Sequence, residues 1–86
     1  MSRRGPFYDF IFVSDSTNHR VEKFASDGRF VLMFGTNGPK HGNFVYPEGI
    51  ALLGEDKAYV ADRGNNRIQV FLQKNGKFVT GFCPTY

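Results

Sequence analysis

Apolar and polar residues alternate along two stretches of this chain. In Arg67-Ile68-Gln69-Val70-Phe71, Ile68 and Val70 fall on one side, and Arg67, Gln69 and Phe71 on the other. In Arg20-Val21-Glu22-Lys23-Phe24 the same pleat groups Arg20, Glu22 and Phe24. A period of two is the signature of a strand. Each stretch follows a short apolar run rich in β-formers, Phe10–Val13 and Ala58–Ala61. Polar segments, Ser14–His19 and Asp62–Asn66, separate the runs. Asp27-Gly28 and Asn75-Gly76 mark hairpin turns, because glycine accepts a positive φ without penalty. Arg29–Phe34 and Lys77–Phe82 read as the closing strands. No helical period of useful length occurs, so the fold class is all-β and antiparallel.

The elements come in two copies. Phe12-Val13-Ser14-Asp15 matches Tyr59-Val60-Ala61-Asp62 at an offset of 47, followed by Asn18 with Asn65, Arg20 with Arg67, Val21 with Ile68 and Phe24 with Phe71. One residue is then inserted, and at an offset of 48 Gly28 meets Gly76, Phe30 meets Phe78, Val31 meets Val79 and Phe34 meets Phe82. A fixed-period repeat indicates an array of equivalent supersecondary units. Gly35–Tyr46, rich in Gly, Asn and Lys, reads as a loop. Ile50–Leu53 adds a strand before the second copy, and Gly54-Glu55-Asp56 turns it into the next. The second unit has four strands and the first three. The slot matching the extra strand is Ser2-Arg3-Arg4-Gly5-Pro6, which has no apolar residue except a proline, a poor strand-interior residue. Either the chain is part of a longer array or another chain supplies that strand.

The pattern Gly42-x-Phe44-x-x-Pro47-x-Gly49-Ile50-Ala51, then Tyr59-Val60-Ala61-Asp62-x-x-Asn65-x-Arg67-Ile68-Gln69-Val70-Phe71, then Asn75-Gly76-Lys77-Phe78, closely resembles the NHL repeat. The first copy, from Phe12 to Gly28, resembles it from the second strand onward. The resemblance implies four-stranded β-propeller blades, usually six to a propeller. It assigns residues 10–35 to a partial blade of three strands, 36–46 to a connecting loop and 47–83 to a complete blade. Members of the family include the C-terminal propeller of TRIM-NHL ubiquitin ligases, RNA-binding developmental repressors, bacterial sensor-kinase ectodomains and a peptidyl-amidating lyase. This chain has about two blades instead of six.

Composition adds limits. Eighty-six residues allow one small domain, and fourteen aromatics (ten Phe, four Tyr) supply its apolar surface. The net charge of +3 is scattered, with Arg3-Arg4 the only basic pair, which permits nucleic-acid or acidic partners without demanding them. Cys83 is the sole cysteine, so no intrachain disulfide is expected and a reducing, cytoplasmic setting is. Met1–Pro6 has no apolar run after its arginines, so no signal peptide is expected, and no stretch reaches the roughly 20 apolar residues of a membrane span.

The polar set Asp-x-x-Asn-x-Arg occurs twice: Asp15, Asn18, Arg20 and Asp62, Asn65, Arg67. An Asp with an Asn three residues on can satisfy backbone N–H groups across a tight turn, and the Arg can neutralise the Asp. Recurrence makes this set repeat architecture rather than an anion or metal site. His19 and His41 lack a second ligand at metal spacing. Cys83 aligns with Gly35 and has no catalytic signature, and Glu55-Asp56 are adjacent acids in a turn. No catalytic residue and no cofactor is called for. In a propeller, the turns after Asp15 and Asp62 and the loop entering the next blade open on one face. That face would gather His19, Lys40, His41, Tyr46, Arg63 and Asn66, a set suited to single-stranded RNA or an acidic peptide. Expected partners are therefore protein or single-stranded RNA, or further copies of the chain. Three copies of two blades would close a six-bladed ring through open edge strands.

Overall fold

The computed structural model describes residues 9–84. Seven strands form two antiparallel sheets. The first holds β1 (Phe10–Asp15), β2 (Arg20–Ala25) and β3 (Phe30–Phe34). The second holds β4 (Pro47–Leu53), β5 (Lys57–Asp62), β6 (Arg67–Leu72) and β7 (Phe78–Phe82). Each sheet is a simple meander in chain order. The all-β reading holds, and the sheets have the form of propeller blades. The segment Ser2–Pro6, aligned with an innermost strand, lies outside the described residues.

β4 begins three residues before the expected Ile50, at Pro47, with a register shift between Pro47 and Ile50. Proline is tolerated there because the first residue of a strand need not donate to the ladder. The polar segments fold as single 3-10 turns, Ser16–Asn18 and Arg63–Asn65, each closed by a left-handed residue, His19 (φ 56°) and Asn66 (φ 54°). The one-residue insertion also has a cause. In the first hairpin Gly28 N–H donates to Ala25 O and Ala25 N–H to Arg29 O, which leaves a three-residue loop. In the second, Gly76 N–H donates to Leu72 O and Leu72 N–H to Lys77 O, which leaves four. Both loops end on a glycine of positive φ, 93° and 74°, so the insertion changes loop length and preserves the pairing beyond it.

The two sheets join face on face. Val21, Phe44, Val60 and Phe71 are at most 1% exposed and form one cluster, with Phe12, Phe34, Ile50 and Phe78 packed around it. The Phe34 and Phe71 rings meet across the junction at 4.7 Å. Burying four such side chains contributes on the order of 1.5–3 kcal/mol each, the main force holding sheet to sheet. Lys23 is buried at the same junction: its ammonium donates to Gln73 O at 2.7 Å and lies 4.2 Å from the Phe10 ring centre. The Ser14 hydroxyl donates to Glu48 O.

The joining faces are not equivalent. The first sheet contributes Val21, Lys23 and Ala25, whose counterparts in the second are Ile68, Val70 and Leu72. The second contributes Val60, Gln69 and Phe71, whose counterparts are Val13, Glu22 and Phe24. The contact is heterologous, so each of its two halves recurs, without an inter-sheet partner among the described residues, on the far side of the other sheet. Ile11, Val13, Phe30 and Met33 are 39–53% exposed on one far side, and Leu53 and Phe82 are 60% and 48% exposed on the other. No helix among the described residues is long and apolar enough to cross a membrane.

Candidate recognition face

The second Asp-x-x-Asn-x-Arg set grips the loop that connects the sheets. Asp62 is fully buried at the end of β5, and its Oδ1 accepts the Val45 N–H at 2.8 Å. Its Oδ2 accepts from Arg67 Nε (2.8 Å), Asn65 Nδ2 (2.9 Å) and Gln69 Nε2 (3.2 Å). Arg67 then fans across the loop, donating to Pro39 O, Lys40 O and Asn43 O at 2.8–2.9 Å. Asn65 donates to Gly38 O, while Gln69 donates to Asn43 O and accepts from Gly42 N–H. A loop without regular ladders must place its carbonyls somewhere, and charge-assisted bonds from one guanidinium satisfy three of them. The Phe44 ring anchors the loop beneath, 5.4 Å from Phe71 and 6.3 Å from Phe34.

This differs in detail from the expected role. The aspartates were expected to bond N–H groups of their own turns. Neither does so, and Asp62 instead takes an N–H from the incoming loop. The turn holds its shape through backbone bonds, Asn66 N–H to Arg63 O and His19 N–H to Ser16 O.

The first set has the same internal bonds and lacks the loop. Asn18 Nδ2 lies 3.1 Å from both Asp15 oxygens, and Arg20 Nε donates to Asp15 Oδ2 at 3.3 Å and to Glu22 Oε2 at 2.9 Å. Among the described residues, no backbone carbonyl meets Arg20. Asp15 is held below the ordinary carboxylate value, first by the Asn18 amide and then by its interaction with the Glu22 carboxyl; burial opposes this, and the Arg20 charge adds a lesser lowering.

The six residues expected on one face divide into groups. His19 and Tyr46 come together: their ring centres are 4.7 Å apart, and Tyr46 N–H donates to His19 Nδ1 at 3.1 Å. Tyr46 is 46% exposed and held in a left-handed conformation, φ 52°. Arg63 lies alongside, 3.6 Å from Glu48, in a turn whose Gly64 N–H donates to Val45 O. Asn66 is exposed at the end of that turn. His41 is placed elsewhere, stacked on Phe78 at 4.7 Å and 17° where β7 begins. Lys40 is exposed on the same segment, its backbone gripped by Arg67. The clamp pulls residues 38–43 down the flank of the second sheet, so Lys40 and His41 leave the rim.

Three residues central to this region were not singled out from the sequence: Phe44 as anchor, Gln69 as clamp member and Gly64 as the point of closest approach. A Cβ on Gly64 would stand 2.3 Å from Val45 Cγ1 and 2.6 Å from Val45 O. The signal was present in the repeat itself, since Gly64 aligns with Thr17 and Gln69 with Glu22. No group of three or more metal-ligating side chains converges among the described residues.

A three-stranded and a four-stranded meander stacked face on face, the second opening with a loop clamped by an Asp, an Asn and an Arg, have the form of β-propeller blades. The match to known families is specific: residues 44–71 fit the family described as NHL repeat, and the chain belongs to the NHL-repeat family. It is 35% identical over 80 residues to peptidyl-glycine alpha-amidating monooxygenase B of Xenopus laevis, covering 86% of this chain and 9% of that protein. It is 34% identical over 77 residues to protein brain tumor of Drosophila melanogaster, covering 87% and 7% respectively. It is 36% identical over 62 residues to human NHL repeat-containing protein 3, covering 72% and 18%. The chain thus spans less than a fifth of each of these relatives.

Proposed function

We propose that this chain is a non-catalytic recognition module whose rim of His19, Tyr46, Arg63 and Asn66 binds protein or single-stranded RNA. The observation that supports it most is the exposed Tyr46 ring, fixed against His19 by the bond from its own N–H. A rigid exposed aromatic on a rim that also carries Arg63 suits an unstacked base and its phosphate, and equally an acidic peptide carrying an aromatic side chain. The Asp, Asn and Arg of the second copy are taken up in holding backbone, which supports a binding role over a catalytic one. The alternative is service within a larger NHL protein, either an amidating enzyme like the frog relative or a ubiquitin ligase that uses the blades to choose substrates. The lone cysteine supports a cytoplasmic setting.

Fluorescence anisotropy with a labelled single-stranded RNA at two salt concentrations tests the RNA branch. Binding should strengthen at low salt, because phosphate contacts release counterions, and should weaken in Tyr46→Ala. Failure to bind at low salt removes RNA and leaves the acidic-peptide branch.

A second reading rests on the heterologous sheet junction. The far sides of the two sheets carry the unused halves of the contact that joins them, so copies can add head to tail, and three copies close a six-bladed ring. Light scattering coupled to size exclusion would show a trimer; a monomer across the concentration range removes this reading.

A further inference from the structure

Tyr46 is held in a conformation that its place in the chain disfavours. A residue before proline is pushed toward extended backbone, and a bulky residue rarely takes a positive φ. Yet Tyr46 precedes Pro47 and has φ 52°. Its neighbours are anchored separately. Val45 gives its N–H to Asp62 Oδ1 and takes the Gly64 N–H on its carbonyl, and Pro47 is buried at the head of β4. The Tyr46 N–H goes to His19 Nδ1 at 3.1 Å, and the two rings lie 4.7 Å apart. A strained residue persists where its surroundings over-determine it, and here one of the bonds that hold it ends on an imidazole.

That acceptor is conditional. Neutral imidazole accepts at Nδ1 only while its hydrogen is on Nε2, and protonated imidazole donates from both nitrogens. Protonation of His19 therefore sets one N–H against another. The charged groups of the elements that meet at this corner are engaged with one another: Asp15 and Glu22 with Arg20 beside the first turn, and Glu48 of β4 with Arg63 of the second turn. The Tyr46 phenol ring lies against the imidazole. Among the described residues none of these carboxylates pairs with His19, so none takes over the lost bond. The turn itself does not require an imidazole. Asn66 stands at the matching place in the second copy, with φ 54° against 56° for His19, and closes its turn by the same backbone bond.

We propose that His19 is a positioning residue and a proton-sensitive latch for the rim. Neutral, it holds Tyr46 in the conformation that presents its ring; protonated, it releases Tyr46 and the rim loses its ligand. Imidazole ordinarily changes charge between about pH 5 and 8, so the rim binds at neutral pH and releases in mildly acidic solution. Its use in binding rests on the rim being the recognition site, whereas the latch belongs to the chain alone.

The test uses the full 86-residue chain, isotopically labelled for NMR. Between about pH 8 and 5 the Tyr46 amide signal should move together with the His19 ring signals. In His19→Asn, which copies the second turn, the Tyr46 amide should stay still. His41→Asn, which removes the histidine stacked on Phe78, should leave the Tyr46 response intact. A Tyr46 amide that does not follow His19, or that titrates equally in His19→Asn, overturns the latch. Anisotropy with the labelled single-stranded RNA reads the second half. Affinity should fall about tenfold toward acid, the worth of the lost bond, and should not fall in His19→Asn. The sign is diagnostic, because a cation added to the rim would by itself strengthen phosphate binding. Affinity that rises toward acid overturns the release. RNA binding at no pH, with the Tyr46 amide still following His19, supports the latch and tells against RNA as the ligand of the rim.

Discussion

The turn at Asp15–Arg20 and the turn at Asp62–Arg67 are nearly superimposable, yet their aspartates live in different surroundings. Asp62 is fully buried and accepts four hydrogen bonds, one from each of Val45, Asn65, Arg67 and Gln69. The Asp15 side chain is 25% exposed and accepts hydrogen bonds from Asn18 and Arg20. Local sequence makes the turn, and the loop that arrives from elsewhere decides what the turn is worth. The same motif grips a loop in one copy and, among the described residues, none in the other.

The largest expected effect comes from removing each aspartate. Asp62→Ala strands Arg67, whose side chain is 14% exposed, and should cost about 3–5 kcal/mol, as breaking other buried ion pairs does. Asp15→Ala should cost about 1 kcal/mol or less, typical of a pair open to water. Urea denaturation of both variants measures the gap, and equal costs would break the comparison. Next is the pair Gly64 and Thr17. Gly64→Thr drives a side chain into Val45 backbone and should cost about 1–3 kcal/mol. Thr17→Gly, on an exposed turn, should fall within about 0.5 kcal/mol of the parent.

Smaller effects lie in the pH dependence. Burial pushes the Lys23 ammonium below its ordinary 10.5. The folded state then holds fewer protons than the unfolded state just under that value, so stability should rise with pH there. Lys23→Met should remove that rise, as seen in melting temperatures measured up to pH 10.5. Asp15 acts in the opposite range. Its lowered folded value means that its contribution is present above the ordinary 3.8 and is lost as pH falls through the folded value. Asp15→Asn should flatten only this acid limb, and by little, since the group is open to water.

Much of the fold was legible because its signals are local. Alternation around Ile68 and Val70 announced a strand, and Asp27-Gly28 and Asn75-Gly76 announced their turns. The match of the two copies showed how many units there were. The site was less legible. His19 and Tyr46 are 27 positions apart and meet only because the connecting loop returns to the first turn. His41 read as a rim residue by its place in a polar loop, but Arg67 draws that loop along the sheet and leaves the imidazole on Phe78. Nor does the repeat alone tell that the two sheets meet through their faces, where Val21 and Phe71 are buried.

By itself the sequence determined the period, the strands and the turn geometry, because pleating, glycine φ and β-propensity act over a few residues. Which copy of Asp-x-x-Asn-x-Arg is buried was decided only in three dimensions. Hydrogen bonds to loop carbonyls and the seating of Phe44 require segments distant in the chain to meet. The clue to that choice was Gly64 facing Thr17: glycine stands where a backbone passes overhead, and threonine where none of the described backbone does.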